Sequence, residues 1–319
     1  MLKNMTVYRI GADWRADLLE LEAGLLKQRF VPCSASQPTS SGWVEPRGTV
    51  NGPLVESIAG QWLLTLRIER KLLPASVVKS RVDERASQIE KTTGRKPGKR
   101  ELRDLKDEAV LDLLPMAFSK RSSVTTWIDP KSNLLIVDAG SQKSADEVVT
   151  LLVRAVPGLS VALLQSAISP AMAMARWLGD AQAPAGFTID RECELKSADE
   201  MKSVVRYSRH GLDTDDVRKH IQAGKLPTRL AMSWNDRVSF VLTESLQLKK
   251  IAFLNGALDP TSKTDDDRFG ADAAIVTGLL RQLIPAVVEA LGGDHLVSAP
   301  LPEPQPHRKI RETAAAIVV

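Results

Sequence analysis

Two cysteines in 319 residues, Cys33 and Cys193, leave no material for a disulfide framework, and without a CxxC spacing they cannot seed a structural zinc site. Such usage fits a reducing compartment. The four histidines, His210, His220, His295 and His307, offer neither HxxxH nor HExxH, so zinc-hydrolase chemistry has no ligand pattern. Gly-Lys pairs occur only at Gly98-Lys99 and Gly224-Lys225, and neither has the preceding glycine or following Ser/Thr of a phosphate-cradling loop. GxSxG and GxGxxG are also missing. No uninterrupted apolar run approaches the roughly 20 residues needed to span a bilayer, and the N-terminal residues lack the apolar core of a secretory signal. The expectation is a cytoplasmic protein with no membrane partner, no metal and no cofactor. Carboxylate pairs such as Asp107-Glu108 and Asp215-Asp216 are adjacent rather than convergent, and read as helix-surface or capping groups. Acids scattered along the chain leave a structure-specific nuclease as an alternative.

Charge is what the sequence does concentrate. Between residues 79 and 121 stand twelve Lys or Arg against eight Asp or Glu, so this segment carries the whole formal net charge of +4. Leu102, Leu105, Ala109, Val110, Leu113 and Leu114 recur at three-and-four spacing, which is one face of a helix with the charges on its other sides. Val77, Val78, Val82, Ala86 and Ile89 repeat the pattern more weakly. Between the two runs, Gly94-Arg95-Lys96-Pro97-Gly98 breaks helical structure, predicting a helical hairpin with a basic turn. Pro115 ends the second run and Phe118 follows, flanked by Lys120 and Arg121. By default a charge-rich helix is a solvated face and a phenylalanine is core. The polar neighbours of Phe118 argue against a deep interior.

Read in order, the chain opens with a strand at residues 5–10 and a helix at 17–30. Residues 34–41 read as loop, with Trp43 anchoring it, and a strand at 62–68 leads into the hairpin. Strands at 124–128 and 134–139 flank the turn Asp129-Pro130-Lys131-Ser132-Asn133. The hairpin therefore interrupts one sheet. Ser144 and Glu147 form a capping-box pattern for a helix starting near Ala145. Pro157-Gly158 marks a boundary, beyond which come a strand at 159–164, a helix at 171–178, a strand pair at 187–195 and 203–209, and a helix at 213–223. A three-stranded meander spans 229–254, and acids at 265–267 cap an apolar helix at 271–291. The fold class is α+β, with antiparallel or mixed sheets and packed helices. The expected units are a discontinuous central domain (1–75 and 116–157), a helical tip (76–115), a base domain (158–294) and a Pro- and Ala-rich disordered tail (295–319).

Binding chemistry gathers in the later half. Arg206, Arg209, Arg218, Lys219, Lys225 and Arg229 lie close together in sequence, interleaved with Tyr207 and His210. Such a cluster suits phosphates, because guanidinium and ammonium groups displace counterions without reading bases. No recognition helix with base-reading side chains is visible. A pI near 9.0 permits a nucleic-acid partner without requiring one.

Ordered motifs add a family resemblance. The run LKDEAVLDLLPMAFSK at 105–120, followed by WID at 127–129 and VDA at 137–139, resembles the recombination-associated protein RdgC family. VYR, FVPC, GWVEP and KLLP precede it in family order, and GF at 186, ELKS at 194, HIQAGK at 220 and LGG at 291 continue it. The resemblance implies a ring-shaped homodimer that encloses double-stranded DNA without sequence preference and restrains a recombinase filament, with no enzymatic activity and a nucleoid location. It implies that the hairpin is a projecting tip near a gate at Phe118, and that Arg209 and Lys225 line a DNA channel; the basic cluster adds Arg206, Lys219 and Arg229, and the cations beside Phe118 add Lys120 and Arg121, as further DNA-contact candidates. The polar run Arg121-Ser122-Ser123 and the residues after Gly293 depart from the family pattern. A scaffold that never touches DNA is the remaining alternative.

Overall fold

Period-two alternation through the first half of the chain folds as one antiparallel sheet in the computed structural model, which describes residues 2–254 and 265–295. Its strands are β1 (Thr6–Ile10), β2 (Thr39–Val44), β3 (Val55–Ile58), β4 (Gln61–Leu72), β5 (Phe118–Asp129), β6 (Leu134–Val137) and β7 (Val161–Leu163). They run in the order β2-β4-β5-β6-β1-β7, with β3 also on β4. Helices α1 (Leu18–Leu26) and α4 (Gln142–Ala155) cover one face, where Leu21, Leu25, Val148 and Leu152 pack on Leu64, Leu66, Ile128 and Leu135. Asp17 starts α1 by accepting from the backbone N–H groups of Leu19 and Glu20. A Cβ on Gly24 would lie 2.2 Å from the Ala155 carbonyl oxygen, so only glycine lets α1 approach the end of α4 this closely.

The ladder between β4 and β5 runs without a break from Trp62 opposite Ile128 to Leu72 opposite Phe118. Between its ends lies an insertion of two helices, α2 (Ala75–Thr93) and α3 (Lys99–Leu113), followed by a 3-10 turn at Leu114–Met116, so the insertion's two ends leave the sheet side by side. Gly94 closes α2 in left-handed backbone at φ 72°, and Glu101 accepts from the Gly98 N–H at the start of α3. Arg85 ties the helices together by pairing with Glu108 and Asp112. Val78, Leu105 and Ala109 are the side chains these helices bury.

The second sheet, β12-β11-β10-β8-β9, is built from β8 (Phe187–Ser197), β9 (Val204–Ser208), β10 (Lys225–Trp234), β11 (Val238–Thr243) and β12 (Leu248–Phe253). Helices α5 (Pro170–Gly179), α6 (Asp215–Gln222) and α7 (Asp265–Ala290) complete the described residues. Leu230, Met232, Phe240 and Leu242 on its inner face share one hydrophobic cluster with Trp177, Leu280 and Leu283. Val7, Leu63, Trp127 and Ile136 from the second face of the first sheet join the same cluster. The N-terminal residues stitch the sheets together, since Met5 exchanges backbone hydrogen bonds with Leu248 and Lys3 accepts from Ile251. By length and composition α7 could cross a bilayer, with mean hydropathy 1.4 over its best window. One face of it nevertheless joins the core, through Ala273, Val276, Leu280, Leu283 and Val287, and its Arg281 donates to the buried Asp129 at 2.9 Å.

The antiparallel α+β class matches the expectation from sequence, and several boundaries differ from it. β5 begins at Phe118 rather than residue 124, because the extension of β4 through Arg70 and Leu72 supplies ladder partners to the polar run Ser119–Ser123. β2 enters at Thr39, within the expected loop, by pairing with the same extension, and β3 was not foreseen. The strand expected after the 157/158 boundary is β7, and it pairs with β1 in the first sheet. α4 starts a turn early because Ser141, not Ser144, accepts the capping bond, which frees Glu147 for Arg70. β10 starts at Lys225 because a bulge between Pro227 and Arg229 accommodates the proline. Of the expected tail only His295 lies within the described residues, and its N–H donates to the Gln165 carbonyl.

Candidate nucleic-acid interface

Register on the second sheet places Glu194 opposite Arg206 of β9 and opposite Arg229 of β10. Directly opposed residues share a face, so the three form one row on the side away from buried Cys193, Leu195 and Leu230. Arg206 Nε donates to Glu194 Oε2 at 2.7 Å while its side chain stays 74% exposed. Thr228, in the β10 bulge, donates its hydroxyl to Glu194 Oε1 at 2.7 Å. This hydroxyl first, and then the Arg206 guanidinium, hold the Glu194 carboxyl below the usual carboxylate range. The row carries two cations and one anion, and the guanidiniums are its solvated part. Alternation puts Glu192 and Lys196 on the same face, and Lys250 of β12 reaches across to Glu192.

The other expected residues of this half divide between locations. Lys225 opens β10 opposite Ser197, on the inner side with Leu195 rather than in the Arg206–Arg229 row. Lys219 lies on α6, 3.5 Å from Asp216, and neighbouring Arg218 pairs with Asp215 at 2.9 Å. Tyr207 has both His210 and His220 beside its ring, so the interleaved aromatics form a cluster on the α6 side. Arg209 is exposed just past β9 in left-handed backbone at φ 57° and makes no ion pair among the described residues. Burial and the Glu194 charge push the Cys193 thiol up to about 12, which makes it an inert core group.

On the first sheet Lys120 and Arg121 point to opposite faces of β5, as neighbours in a strand must. Arg121 Nε donates to the buried Glu69 at 2.9 Å, and the guanidiniums of Arg121 and Arg67 lie 6.0 and 5.8 Å from the Phe30 ring. Glu69 is held low by the Ser119 hydroxyl first, then by Arg121 and Lys71. Lys120 stands directly opposite Arg70, a like-charge pair on β4–β5 that Glu147 relieves by accepting from Arg70 at 2.9 Å. Phe118, on the Lys120 face, is 85% exposed, and its neighbours Met116 and Leu72 are 74% and 50% exposed. Phe118 is thus no part of this chain's core.

Glu194, Glu69, Lys196, Lys250 and Arg70 escaped the reading of the sequence. The i+2 spacing of Glu194 and Lys196 in ELKS could have signalled a charged strand face. Lys250 and Arg70 needed the sheet order. Among the described residues no group of three or more His, Cys, Asp or Glu could hold a metal ion.

A family model described as "RdgC: Putative exonuclease, RdgC" matches residues 1–294. Proteins named recombination-associated protein RdgC are similar over nearly the same span. That of Dechloromonas aromatica is 42% identical over 298 residues, covering 92% of this chain and 97% of its own length. Those of Cupriavidus pinatubonensis and Herminiimonas arsenicoxydans are 46% and 44% identical over 295 residues, covering 92% of this chain and 98% of their own.

Proposed function

Because the chain belongs to the RdgC family, we propose that it acts in recombination as a non-sequence-specific binder of double-stranded DNA. It works as a ring-shaped homodimer that encircles the duplex and restrains recombinase filament assembly, without catalysis. The observation that carries this reading is the exposed cationic row of Arg206 and Arg229 around Glu194, with Arg209 beyond the end of β9. Guanidiniums displayed on a strand face suit phosphates, which are bound without regard to base sequence. Lys120 beside Arg70 supplies a second cationic position, and Arg121, Lys219 and Lys225 contribute to the field at longer range. In this reading the central unit is 1–75 with 116–157, to which β7 of the following segment adds a strand, the α2–α3 hairpin is a projecting tip, and the rest of 158–294 is the base. Phe118, with Leu72 and Met116, forms the gate where two copies meet, and the working location is the cytoplasmic nucleoid.

Duplex affinity measured against salt tests the proposal. Log K should fall with log salt by about 0.9 per neutralised phosphate, and Arg206→Ala or Arg229→Ala should each make the slope shallower by roughly one unit or less. A flat salt response in the wild type would sink the DNA reading and favour a scaffold. The words of the family description favour one other outcome, an exonuclease. Incubation of end-labelled duplex with magnesium separates the two, since progressive shortening would make the protein an enzyme.

A further inference from the structure

The two-helix layer of α2 and α3 has two sides, and they are chemically unlike. Beside Pro115 and Met116 the charges are neutralised internally, Arg81 with Glu84 and Arg85 with Glu108 and Asp112. On the other side, where the helices leave the sheet, a cleft of about 580 Å³ has a floor of Leu73, Val78, Val82, Leu102, Val110 and Leu114. Three lysines, Lys71, Lys79 and Lys106, stand around it and no acidic residue lines it. Lys71 is committed to structure, donating to the Ala35 and Leu114 carbonyls. Lys79 and Lys106 are exposed and make no ion pair among the described residues. The cleft opens beside Lys71, which leaves β4 on the face opposite to Leu72 and Phe118, so it is separate from the proposed gate.

We infer that this cleft docks a protein segment that is acidic and amphipathic, a short helix whose apolar anchors enter between α2 and α3 while its carboxylates meet Lys79 and Lys106. Charge complementarity selects this occupant. The lining apolar positions Leu102 and Val110 lie two turns apart with Lys106 midway, so apolar contact and cationic contact alternate along the cleft as they do on the face of an amphipathic helix. Phosphodiester backbone would meet the lysines but leave the apolar floor without a partner. The inference stands apart from the duplex reading, because it uses none of the residues assigned to DNA.

The test titrates the full-length protein against two fluorescein-labelled synthetic peptides of equal length. Both carry Leu and Phe anchors at i, i+3 and i+7; one has Glu and Asp elsewhere, the other Lys. The acidic peptide should bind saturably and the lysine peptide should not. Lys79→Glu combined with Lys106→Glu should weaken the acidic peptide by about tenfold or more, and Val82→Gln should weaken it independently, with melting temperature and far-UV spectrum unchanged for the lysine variant. Equal binding of both peptides, or an acidic-peptide affinity indifferent to the charge reversal, would overturn the inference. So would a charge reversal that changes the protein's mass in solution, which would give the cleft to a second copy. Displacement of the peptide by a short duplex whose own affinity falls in the same variant would make the cleft a nucleic-acid site and equally defeat it.

Discussion

A buried hydroxyl without a partner costs stability in the folded state, and Thr126 carries one in the middle of β5, fully buried with no hydrogen bond to its Oγ1. Thr126→Val keeps the shape and removes the polar atom. The variant should be as stable as the wild type or more so by up to about 1–3 kcal/mol, read as a raised melting temperature; a clear fall would mean the hydroxyl has a partner. Glu194 shows the reverse situation, a carboxylate that the fold satisfies. Its folded-state pKa is lowered, so its contribution is present above the unfolded value and is lost as pH falls through the folded one. Thr228→Val removes the largest cause. The Glu194 titration, followed by NMR, should therefore move upward toward the ordinary carboxylate range, and the variant, less stable near neutral pH, should lose less further stability on acidification because its folded value lies closer to the unfolded one. An unmoved titration would assign the lowering to the arginines alone.

At the scale of elements, the α2–α3 insertion is tied to the sheet by the side-by-side exit of its ends at Leu72 and Phe118. Replacing residues 79–114 by a short Gly/Ser linker should leave a soluble protein that melts cooperatively, because closing so short a gap costs little and the two main clusters lose no member. Aggregated protein in repeated preparations would mean the helices belong to the core. The hairpin was legible because two independent signals agreed there, apolar spacing in 102–114 and the Gly-Pro-Gly break. β4, β5 and β10 were read too short for a common reason. Their unread ends, Glu69–Leu72, Phe118–Ser123 and Lys225–Thr228, lack apolar alternation and exist as strands because a neighbouring strand supplies backbone partners, which no local pattern encodes. The cationic cluster was visible as composition, while its division between a sheet face and the α6 side depends on register and on one bulge. Glu194 was visible as a letter only, since what makes it central is its place between Arg206 and Arg229 on strands far apart in sequence.

For the molecule as a whole, the two sheets act as one body through the bridge of Met5 to Leu248 and the burial of α7 against both, with Arg281 reaching Asp129. The proposed ring requires a second copy to meet this body at two places, and the exposed apolar trio of Leu72, Met116 and Phe118 is suited to one such meeting. Phe118→Ala separates the possibilities by magnitude. An exposed ring that serves only its own chain changes stability by about 0.5 kcal/mol or less, whereas a buried one would cost about 3–5 kcal/mol. With 85% of Phe118 exposed, the melting temperature of the variant at low concentration should match the wild type. If Phe118 forms the proposed gate, the effect falls on association, where losing a central aromatic anchor weakens the contact. Closed circular duplex makes this visible, because a closed ring on a circle has no end from which to slide and must open to leave. The off-rate from circles should therefore rise in Phe118→Ala while the salt slope, which the proposal assigns to Arg206, Arg229 and their neighbours, stays where it was. An unchanged off-rate from circles, measured beside an unchanged dimer mass, would take the gate away from Phe118 and leave the ring without its proposed closure.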